Sequence, residues 1–266
     1  MRLRMPSLIA DYWRRENGLG LFLDYDGTLT PIVPNPEQAF LPREGVELLR
    51  NLCRDPQIQV AVISGRSLSQ LQHFLAELAG EEMTLCGSHG GEIYLPKKGE
   101  FLRQPDRQEL PQALALIRAD ILQQLAASDY LNQGVRIEDK PYSFAVHYRQ
   151  AEPPVKQQVM TLLTHYFSAN PATCRPFKLQ PGKEVLEILP ATFDKGNAVA
   201  FLWDNWRLPK GCYIGDDVTD EAAFAAVNQR GGLSIAVGKR PGMTQAQYIC
   251  PDVAAVYAEL AALLES

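Results

Sequence analysis

Two carboxylates stand at the end of a short apolar run near the start of the chain. Leu19–Leu23 predicts a buried strand that delivers Asp24 and Asp26 at its carboxyl end. In extended backbone, side chains two residues apart point to the same side, so one carboxylate can attack while the other moves protons. Gly27 and Thr28 follow, which suits a tight turn whose backbone N–H groups face an anion.

A second acidic loop follows another apolar run late in the chain. Residues 211–214 predict a strand, and the segment after it carries Asp216, Asp217 and Asp220. If the two strands are neighbours, these carboxylates crowd into one crevice, which raises their pKa values. A divalent cation resolves the conflict, and all-oxygen ligands suit Mg²⁺, which also coordinates substrate phosphate. The plainer alternative is a set of helix-start carboxylates, which the helix dipole favours without a metal.

Two further side chains stand where a strand or a loop gives way to a helix. Ser64 follows the apolar run 58–63, and Lys195 opens a helical pattern that continues to Leu202. A hydroxyl and an ammonium at such junctions suit phosphoryl oxygens, so the whole set predicts phosphoryl transfer. The plainer alternatives are a helix cap at Ser64, in competition with Ser67, and a solvated first-turn lysine at Lys195.

Strands and helices alternate on both sides of a central interruption. This pattern predicts an α/β fold with a doubly wound, mostly parallel sheet and an inserted smaller α/β cap domain. Residues 1–103 and 189–266 form the predicted catalytic core, and residues 104–188 form the insertion. Within the insertion a helix followed by two strands occurs twice, with extended stretches expected at 135–138, 142–148, 173–179 and 185–189.

Several motifs of the chain occur in a recognisable order. The sequence contains DYDGT, SGR, FDKG and GDDVTDE, with the duplicated insertion between the second and the third. These resemble the four ordered motifs of haloacid-dehalogenase-type (HAD) phosphatases. The segments GSHGGE, EDKPYSFAVHYR and GKEVLEI further resemble trehalose-6-phosphate phosphatases. The resemblance covers residues 19–238 and implies a Rossmann-like HAD core that hydrolyses trehalose 6-phosphate, a step of trehalose biosynthesis.

The resemblance also implies roles for the core residues. Asp24 would be the nucleophile that forms an aspartyl-phosphate, and Asp26 the acid that protonates the departing sugar oxygen and then activates water. Mg²⁺ would be held by the Asp24 carboxylate, the Asp26 backbone carbonyl and Asp216, with Asp217 acting through a water or a neighbouring group. Ser64 and Lys195 would hold the transferring phosphoryl group.

In the family that the chain resembles, polar side chains of a mobile cap hold the disaccharide. The matching cap positions are Glu138, Lys140, Arg149, Lys183 and Glu187, with His89 and Glu92 as further candidates from a core loop. Carboxylates and cationic donors suit a ligand with many hydroxyls. The tripeptide Asp139-Lys140-Pro141 departs from the pattern, because the proline removes a donor beside Lys140. Each cap residue has the alternative of being a surface ion-pair member.

Composition restricts the partners that the chain can have. The formal charge is -5, and the only dense basic cluster is a short N-terminal set, so nucleic-acid binding is not expected. Five cysteines without a C-x-x-C pair indicate buried thiols in a reducing compartment. The chain has no apolar run long enough for a membrane helix and no secretory leader pattern. We therefore expect a cytoplasmic monomer that acts on a small sugar phosphate.

Three alternatives stay open. The same chemistry on another sugar phosphate, of the sucrose-, glucosylglycerol- or mannosylglycerate-type, differs only in the cap. A phosphoacceptor signalling module also combines an acidic cluster, a phosphorylated Asp and a Lys in a doubly wound sheet, although its domain is about half this length. A catalytically silent sugar-phosphate sensor would keep the binding groups without turnover.

Overall fold

The computed structural model describes residues 7–14, 18–103, 109–182, 184–239 and 242–265. In chain order the strands are β1 (Leu19–Leu23), β2 (Ile58–Ile63), β3 (Met83–Gly87), β4 (Glu92–Leu95), β5 (Glu100–Arg103), β6 (Arg136–Asp139), β7 (Phe144–His147), β8 (Phe177–Gly182), β9 (Val185–Pro190), β10 (Lys210–Gly215), β11 (Leu233–Val237) and β12 (Tyr248–Cys250). The α-helices are α1 (Leu8–Trp13), α2 (Arg43–Arg54), α3 (Leu68–Phe74), α4 (Glu109–Ala127), α5 (Pro153–Ala169), α6 (Pro171–Cys174), α7 (Lys195–Trp206), α8 (Glu221–Gln229) and α9 (Val253–Leu264).

The chain divides into two units. Met1–Arg103 together with Asp194–Ser266 forms the larger unit, and Gln104–Phe193 forms the smaller one. The larger unit contains an eight-stranded sheet in the order β12-β11-β10-β1-β2-β3-β4-β5. Pairing is parallel from β12 to β3, and β4 and β5 extend that edge in antiparallel fashion. The predicted doubly wound, mostly parallel sheet is confirmed.

Successive side chains of β1 are buried on opposite faces of this sheet, and helices cover both faces. Leu21 and Leu23 are fully buried in the cluster formed with α1, α2, α3 and α9. Phe22, between them, is fully buried in the opposite cluster, formed with α7 and α8. A strand buried on both faces must be apolar at every position, as Leu19–Leu23 is. The two apolar clusters therefore place β1 in the interior of the eight-stranded sheet.

The three polar loops predicted from the sequence meet at one edge of this sheet. Asp24 follows β1, Ser64 follows β2, and Asp216 follows β10. Because β1 pairs with both β2 and β10 in parallel, the carboxyl ends of all three strands lie side by side. The chain continues from β1 to β2 on one side and returns through β10 on the other side of β1. In an open α/β sheet, such a reversal of strand order is a topological switch point, where a crevice forms at the carboxyl ends of the strands.

The smaller unit contains a four-stranded antiparallel sheet in the order β6-β7-β9-β8. Phe144, Val146, Leu186 and Ile188 face α4 and α5 in a separate apolar core. The opposite face carries Glu138, Ala145, Glu187 and Gln180, which are consecutive cross-strand neighbours. This unit has the duplicated helix-strand-strand pattern that the sequence predicts, with one apolar and one polar sheet face.

Short elements differ from the sequence-based expectations. Residues 173–179 were expected to be extended, whereas Pro171–Cys174 is helical and β8 begins only at Phe177. Proline at the first helical position favours this turn, since its fixed φ suits a helix start. Strands β4, β5 and β12 span four, four and three residues and were not predicted. Short runs carry little periodicity, so they are identified only where flanking residues extend the pattern, as around β6 and β7.

Candidate active site

Lys195 stands between two carboxylates beneath the carboxyl end of β1. Its Nζ lies 2.8 Å from Oδ1 of Asp24 and 2.7 Å from Oδ1 of Asp220. The side chains are 3%, 5% and 0% exposed respectively. The lysine is the first residue of α7, where Asp194 caps the helix. Since a charge in the interior is stable only when it is paired and hydrogen-bonded, these contacts hold all three groups in one arrangement.

The protonation equilibria of this cluster follow from its burial and charge. Burial raises the pKa of Asp24 well above its usual range; Lys195 opposes this shift, and the negative charges of Asp220 and Asp216 add to it. Burial disfavours the Lys195 ammonium, yet Asp220 and Asp24 overcome that effect and raise its pKa. The lysine is therefore charged, and the carboxyl groups of Asp24, Asp216 and Asp220, when all are ionised, outnumber it.

Asp220 is anchored on both of its carboxylate oxygens. Oδ1 accepts hydrogen bonds from Lys195 and from the Tyr213 hydroxyl, the latter at 2.6 Å. Oδ2 accepts from the backbone N–H of Asp217 at 2.7 Å. Burial raises the pKa of Tyr213 and the nearby carboxylates reinforce this shift, so the hydroxyl keeps its proton and donates. Asp220 thus orients Lys195 and closes the turn that begins at Asp217.

The remaining carboxylates have the chemistry of a site for a hard cation. One oxygen each from Asp24, Asp216 and Asp220 lie within 4.8 Å of one another. Gly27 makes room for Asp216, because a Cβ at position 27 would come within 2.2 Å of Oδ2 of Asp216. All-oxygen donors and excess negative charge fit a divalent cation such as Mg²⁺ or Ca²⁺. With the Asp220 oxygens already engaged, Asp24 and Asp216 are the carboxylates best suited to hold it.

Asp26 is held by an arginine that follows the neighbouring strand. Nε of Arg66 lies 2.7 Å from Oδ2 of Asp26, and Nη2 lies 2.6 Å from Oδ1. The same Nη2 donates to the backbone carbonyl of Pro36 at 2.8 Å. The Asp26 side chain is 35% exposed, against 5% for Asp24. Asp26 is therefore the carboxylate on the solvent side of the site, and a two-pronged contact fixes it.

Ser64 is buried at the end of β2, and a different serine starts the following helix. The Ser64 hydroxyl accepts from the backbone N–H of Arg66 at 3.2 Å. Ser67 forms the capping box of α3 with Gln70, so the helix-cap alternative belongs to Ser67. His89 is buried with a left-handed backbone, and its N–H donates to the carbonyl of Ser64 at 2.9 Å. The structure thus places both Ser64 and His89 at the carboxyl edge of the sheet.

Two acidic residues of these loops have structural partners. Glu92 is buried and accepts from the Ser88 hydroxyl at 2.9 Å and from the backbone N–H of Leu68 at 3.2 Å. Its carboxylate ties the loop before β4 to the start of α3. Asp217 caps the short turn that follows it by accepting from the backbone N–H of Val218 at 2.7 Å.

In the smaller unit, three of the predicted sugar-binding side chains share the polar sheet face. Glu187 is buried and accepts from Lys140 Nζ at 3.0 Å and from the Ser143 hydroxyl at 2.6 Å. Glu138 lies 2.7 Å from Nε2 of His147. The hydrogen bond from His147 and the charge of Lys140 lower the pKa of Glu138 despite partial burial. Two hydrogen-bonded groups, one around Glu187 and one around Glu138, therefore form a polar network that the charge of Lys140 links.

The other two predicted cap residues lie apart from that network or outside the described chain. Arg149 is 54% exposed, and its Nε lies 3.8 Å from a carboxylate oxygen of Glu184. An exposed pair at that distance contributes little to stability. Lys183 falls outside the described residues.

Comparison with known proteins decides the family. The family model described as Trehalose-phosphatase matches residues 22–251, well over half of the chain. The chain is 35% identical over 260 residues to the Escherichia coli (strain K12) "Trehalose-6-phosphate phosphatase", covering 96% of this chain and 87% of that protein. The chain belongs to the trehalose-phosphatase family. It is also 32% identical to Arabidopsis thaliana "Trehalose-phosphate phosphatase B", covering 92% of this chain but only 66% of that longer protein.

Solved structures support the same fold. The C-terminal domain of the C. albicans trehalose-6-phosphate phosphatase superposes with a TM-score of 0.81 at 22% identity, covering 97% of this chain and 96% of that chain. A haloacid dehalogenase-like hydrolase from B. subtilis matches with a TM-score of 0.63 at 16% identity, covering 92% and 99%. The HAD-like α/β fold inferred from the motifs is confirmed. Among the residues described, no helix combines the length and apolar character needed to cross a membrane.

Two positions in this member of the trehalose-phosphatase family were not assigned a role from sequence. The sequence pattern shows Asp220 only as one of several acidic loop residues, although the structure makes it the second partner of Lys195. Arg66 is the last residue of the SGR motif and has no predicted role, although it donates two hydrogen bonds to Asp26. The signal for Asp220 is its spacing, since a residue three after Asp217 in a turn is placed to form a reciprocal capping box. No local signal identifies the partner of Arg66.

Proposed function

We propose that this chain hydrolyses trehalose 6-phosphate to trehalose and inorganic phosphate through an aspartyl-phosphate on Asp24. The observation that carries the proposal is the buried contact between Asp24 and Lys195 at the shared carboxyl edge of β10, β1 and β2, in a chain of the trehalose-phosphatase family. A carboxylate and an ammonium at a strand-end crevice can attack a phosphoryl group and stabilise the charge that develops on it.

Two in-line transfers complete the reaction. In the first, a carboxylate oxygen of Asp24 bonds to phosphorus, the bond from phosphorus to the sugar oxygen breaks, and Asp26 gives its proton to that oxygen. In the second, Asp26 takes a proton from water, whose oxygen attacks phosphorus and releases phosphate and the Asp24 carboxylate. Such acid–base assistance contributes about 10²- to 10⁴-fold. Lys195 and the Ser64 hydroxyl hold the phosphoryl oxygens during both transfers.

The acidic cluster suits Mg²⁺ as the resident cation. We assign its protein ligands to the carboxylates of Asp24 and Asp216 and the backbone carbonyl of Asp26, with Asp217 acting through a water or a neighbouring group. When bound, the cation offsets the excess carboxylate charge and makes the phosphorus more electrophilic. We do not assign Asp220 to the cation, because its oxygens already accept hydrogen bonds from Lys195, the Tyr213 hydroxyl and the backbone N–H of Asp217.

The insertion would choose the sugar, and the two flanking segments would carry out the chemistry. Residues 104–188 are the proposed specificity domain, and residues 1–103 and 189–266 are the proposed catalytic core. Glu138, Lys140 and Glu187 are the first candidates for hydroxyl recognition, because their network already presents paired donors and acceptors on one sheet face. Arg149, Lys183 and His89 complete the proposed set.

The free cysteines support a proposal about the cellular compartment. All five cysteines are unpaired, and we assign the enzyme to the reducing cytoplasm on that basis. We further propose that it acts as a monomer on a small sugar phosphate without nucleic-acid partners. Light scattering on the purified chain tests the oligomeric state directly.

Phosphate release across a substrate panel tests the proposed reaction. Trehalose 6-phosphate, sucrose 6-phosphate and glucose 6-phosphate would be compared with Mg²⁺ and with a chelator in its place. We expect the highest kcat/KM for trehalose 6-phosphate and a loss of turnover with the chelator. Equal rates on the three sugar phosphates would reject trehalose 6-phosphate as the specific substrate but would not contradict the proposed mechanism.

A second experiment separates an enzyme from a phosphoacceptor module. Rapid quenching after mixing with substrate should trap a short-lived phosphoenzyme in the wild type and none in the folded Asp24→Asn variant. A phosphoenzyme that persists for minutes in the wild type would favour a signalling module over a phosphatase.

A further inference from the structure

We propose that Arg66 is the positioning residue for Asp26, acting on turnover only through that carboxylate. The inference rests on the proposed function, which makes Asp26 the group that moves protons. Nε and Nη2 of Arg66 donate to the two oxygens of Asp26 at 2.7 and 2.6 Å, in a two-pronged contact. Two parallel hydrogen bonds fix the plane of a carboxylate as well as its distance.

Arg66 is itself held by several contacts, so it can fix the orientation of the Asp26 carboxylate. Its Nη2 also donates to the carbonyl of Pro36 at 2.8 Å, and its guanidinium carbon lies 4.3 Å from the centre of the Phe74 ring. Its side chain is only 10% exposed. Phe74 packs in turn against Tyr25 and Phe40, with ring centres 6.0 and 4.9 Å away. The arginine is ordered before substrate arrives, so Asp26 is oriented at little further entropic cost.

Asp26 needs such a support because of where it stands in the fold. Asp24 is locked by burial and by Lys195, whereas Asp26 lies beyond the strand end and is 35% exposed. The next residue, Gly27, adopts a left-handed backbone, and its N–H donates to the carbonyl of Thr30 at 2.7 Å. This turn fixes the backbone but leaves the carboxylate of Asp26 to be oriented by its side-chain partners. Proton transfer at the wrong angle is costly, since misplacement by about 1 Å can lower rates roughly 10²-fold.

The geometry favours positioning over direct phosphate binding by Arg66. Nε and Nη2 are directed at Asp26, and the second hydrogen of Nη2 is directed at Pro36. These two nitrogens would have to leave both partners to form a fork on a phosphoryl group. The structure therefore assigns Arg66 to Asp26, and Ser64 and Lys195 to the phosphoryl oxygens.

A double-mutant cycle tests the assignment. Arg66→Met, Asp26→Asn and the double variant would be compared with the wild type in kcat and KM for trehalose 6-phosphate. We expect Arg66→Met to lower kcat about 10²-fold while KM changes less than about 3-fold. In the Asp26→Asn background, removing Arg66 should change kcat by less than about 3-fold, because its only route of action is already gone. Arg66→Lys should lie between Arg66→Met and the wild type, since an ammonium restores charge but not the fork.

Arg54→Met is the matched control. Arg54 also contacts a carboxylate through Nε and Nη2, at 3.2 and 2.8 Å from Glu81, but outside the crevice. Its loss should leave kcat and KM unchanged. Thermal unfolding and far-UV circular dichroism would accompany every variant. If Arg66→Met does not fold, Phe74→Leu replaces it in the cycle, since it removes the ring beneath the guanidinium.

Several results would overturn the proposal. One is a folded Arg66→Met variant with wild-type kcat. Another is independent, multiplicative losses from the two substitutions, accompanied by weaker inhibition by inorganic phosphate, which would make Arg66 a phosphate ligand. If the wild type is active and either result is found, the positioning role of Arg66 is rejected while the proposed function stands. A wild type that releases no phosphate from any sugar phosphate rejects the proposed function as well.

Discussion

The ammonium of Lys195 lies 2.8 Å from the carboxylate of Asp24, although 171 residues separate them in the chain. Both groups are almost completely buried, and Asp220 approaches the same ammonium at 2.7 Å. The lysine is thus the positive centre around which the acidic loops after β1 and β10 are arranged. Stability and catalysis should both depend on it.

We expect Lys195→Met to lose stability together with activity. Removing one partner of a buried ion pair costs about 3–5 kcal/mol, because the other charges stay buried without compensation. The loss of a cation from a phosphoryl site should lower kcat by at least about 10²-fold. Urea unfolding and phosphate release measure the two effects. Lys97→Met is the control, since its pair with Glu82 is exposed and should contribute less than about 1 kcal/mol.

Mg²⁺ should stabilise the folded chain measurably. A ligand at 100 times its Kd adds about 2.7 kcal/mol of stability, so Tm in a chelator should rise when excess Mg²⁺ is supplied. Asp216→Asn should remove most of that rise, because it deletes one of the two carboxylates assigned to the cation. Asp204→Asn, at a side chain that is 72% exposed, should keep it. A full Mg²⁺ response in Asp216→Asn would place the cation elsewhere.

Gly27→Ala should destabilise the protein more than the same substitution at another left-handed glycine, and it should also disrupt the metal site. Gly99 has a positive φ like that of Gly27, but nothing lies within 4 Å of a Cβ there. Alanine at either position incurs a left-handed backbone cost of roughly 1–2 kcal/mol. At Gly27 the clash with Asp216 should add about 1–3 kcal/mol and abolish the Mg²⁺ response. Equal unfolding free energies for the two variants would contradict the close approach.

His147→Gln should raise the pKa of Glu138 towards its ordinary value. The hydrogen bond from His147 is the largest cause of the lowered pKa, ahead of the opposing effect of burial and the charge of Lys140. A carboxyl with a lowered folded pKa contributes stability above its unfolded value near about 4.3, and loses it as pH falls through the folded pKa. The wild type should therefore lose stability as pH falls through the folded pKa of Glu138, whereas the variant, with an ordinary Glu138 pKa, should show a smaller loss over the same range.

Carboxyl NMR titration of Glu138 checks this shift directly, and unfolding from about pH 5 to pH 3 checks its consequence. Lys156→Gln is a control in the same unit, since Lys156 pairs with Glu184 rather than with Glu138. An unchanged Glu138 titration in His147→Gln would assign the lowered pKa to Lys140 instead.

Local pattern was sufficient for much of the fold and for placing several polar loops at one end of the sheet. The apolar run before Asp24 predicts a buried strand, and parallel strands end at a common edge, so Asp24, Ser64 and Asp216 could be placed together without coordinates. Lys195 followed from its position at a helix start. Strand β12 and helix α6 were missed, because three or four residues do not establish a period.

Periodicity and motifs read over a few residues are enough to predict the doubly wound sheet, the inserted unit and the residue types available for phosphoryl transfer. The partners of those residues become visible only in the folded chain. Arg66 reaches Asp26 across 40 positions and Lys195 reaches Asp220 across 25. Side-chain hydrogen bonds of that kind depend on how neighbouring strands and loops pack, and no local pattern contains that information.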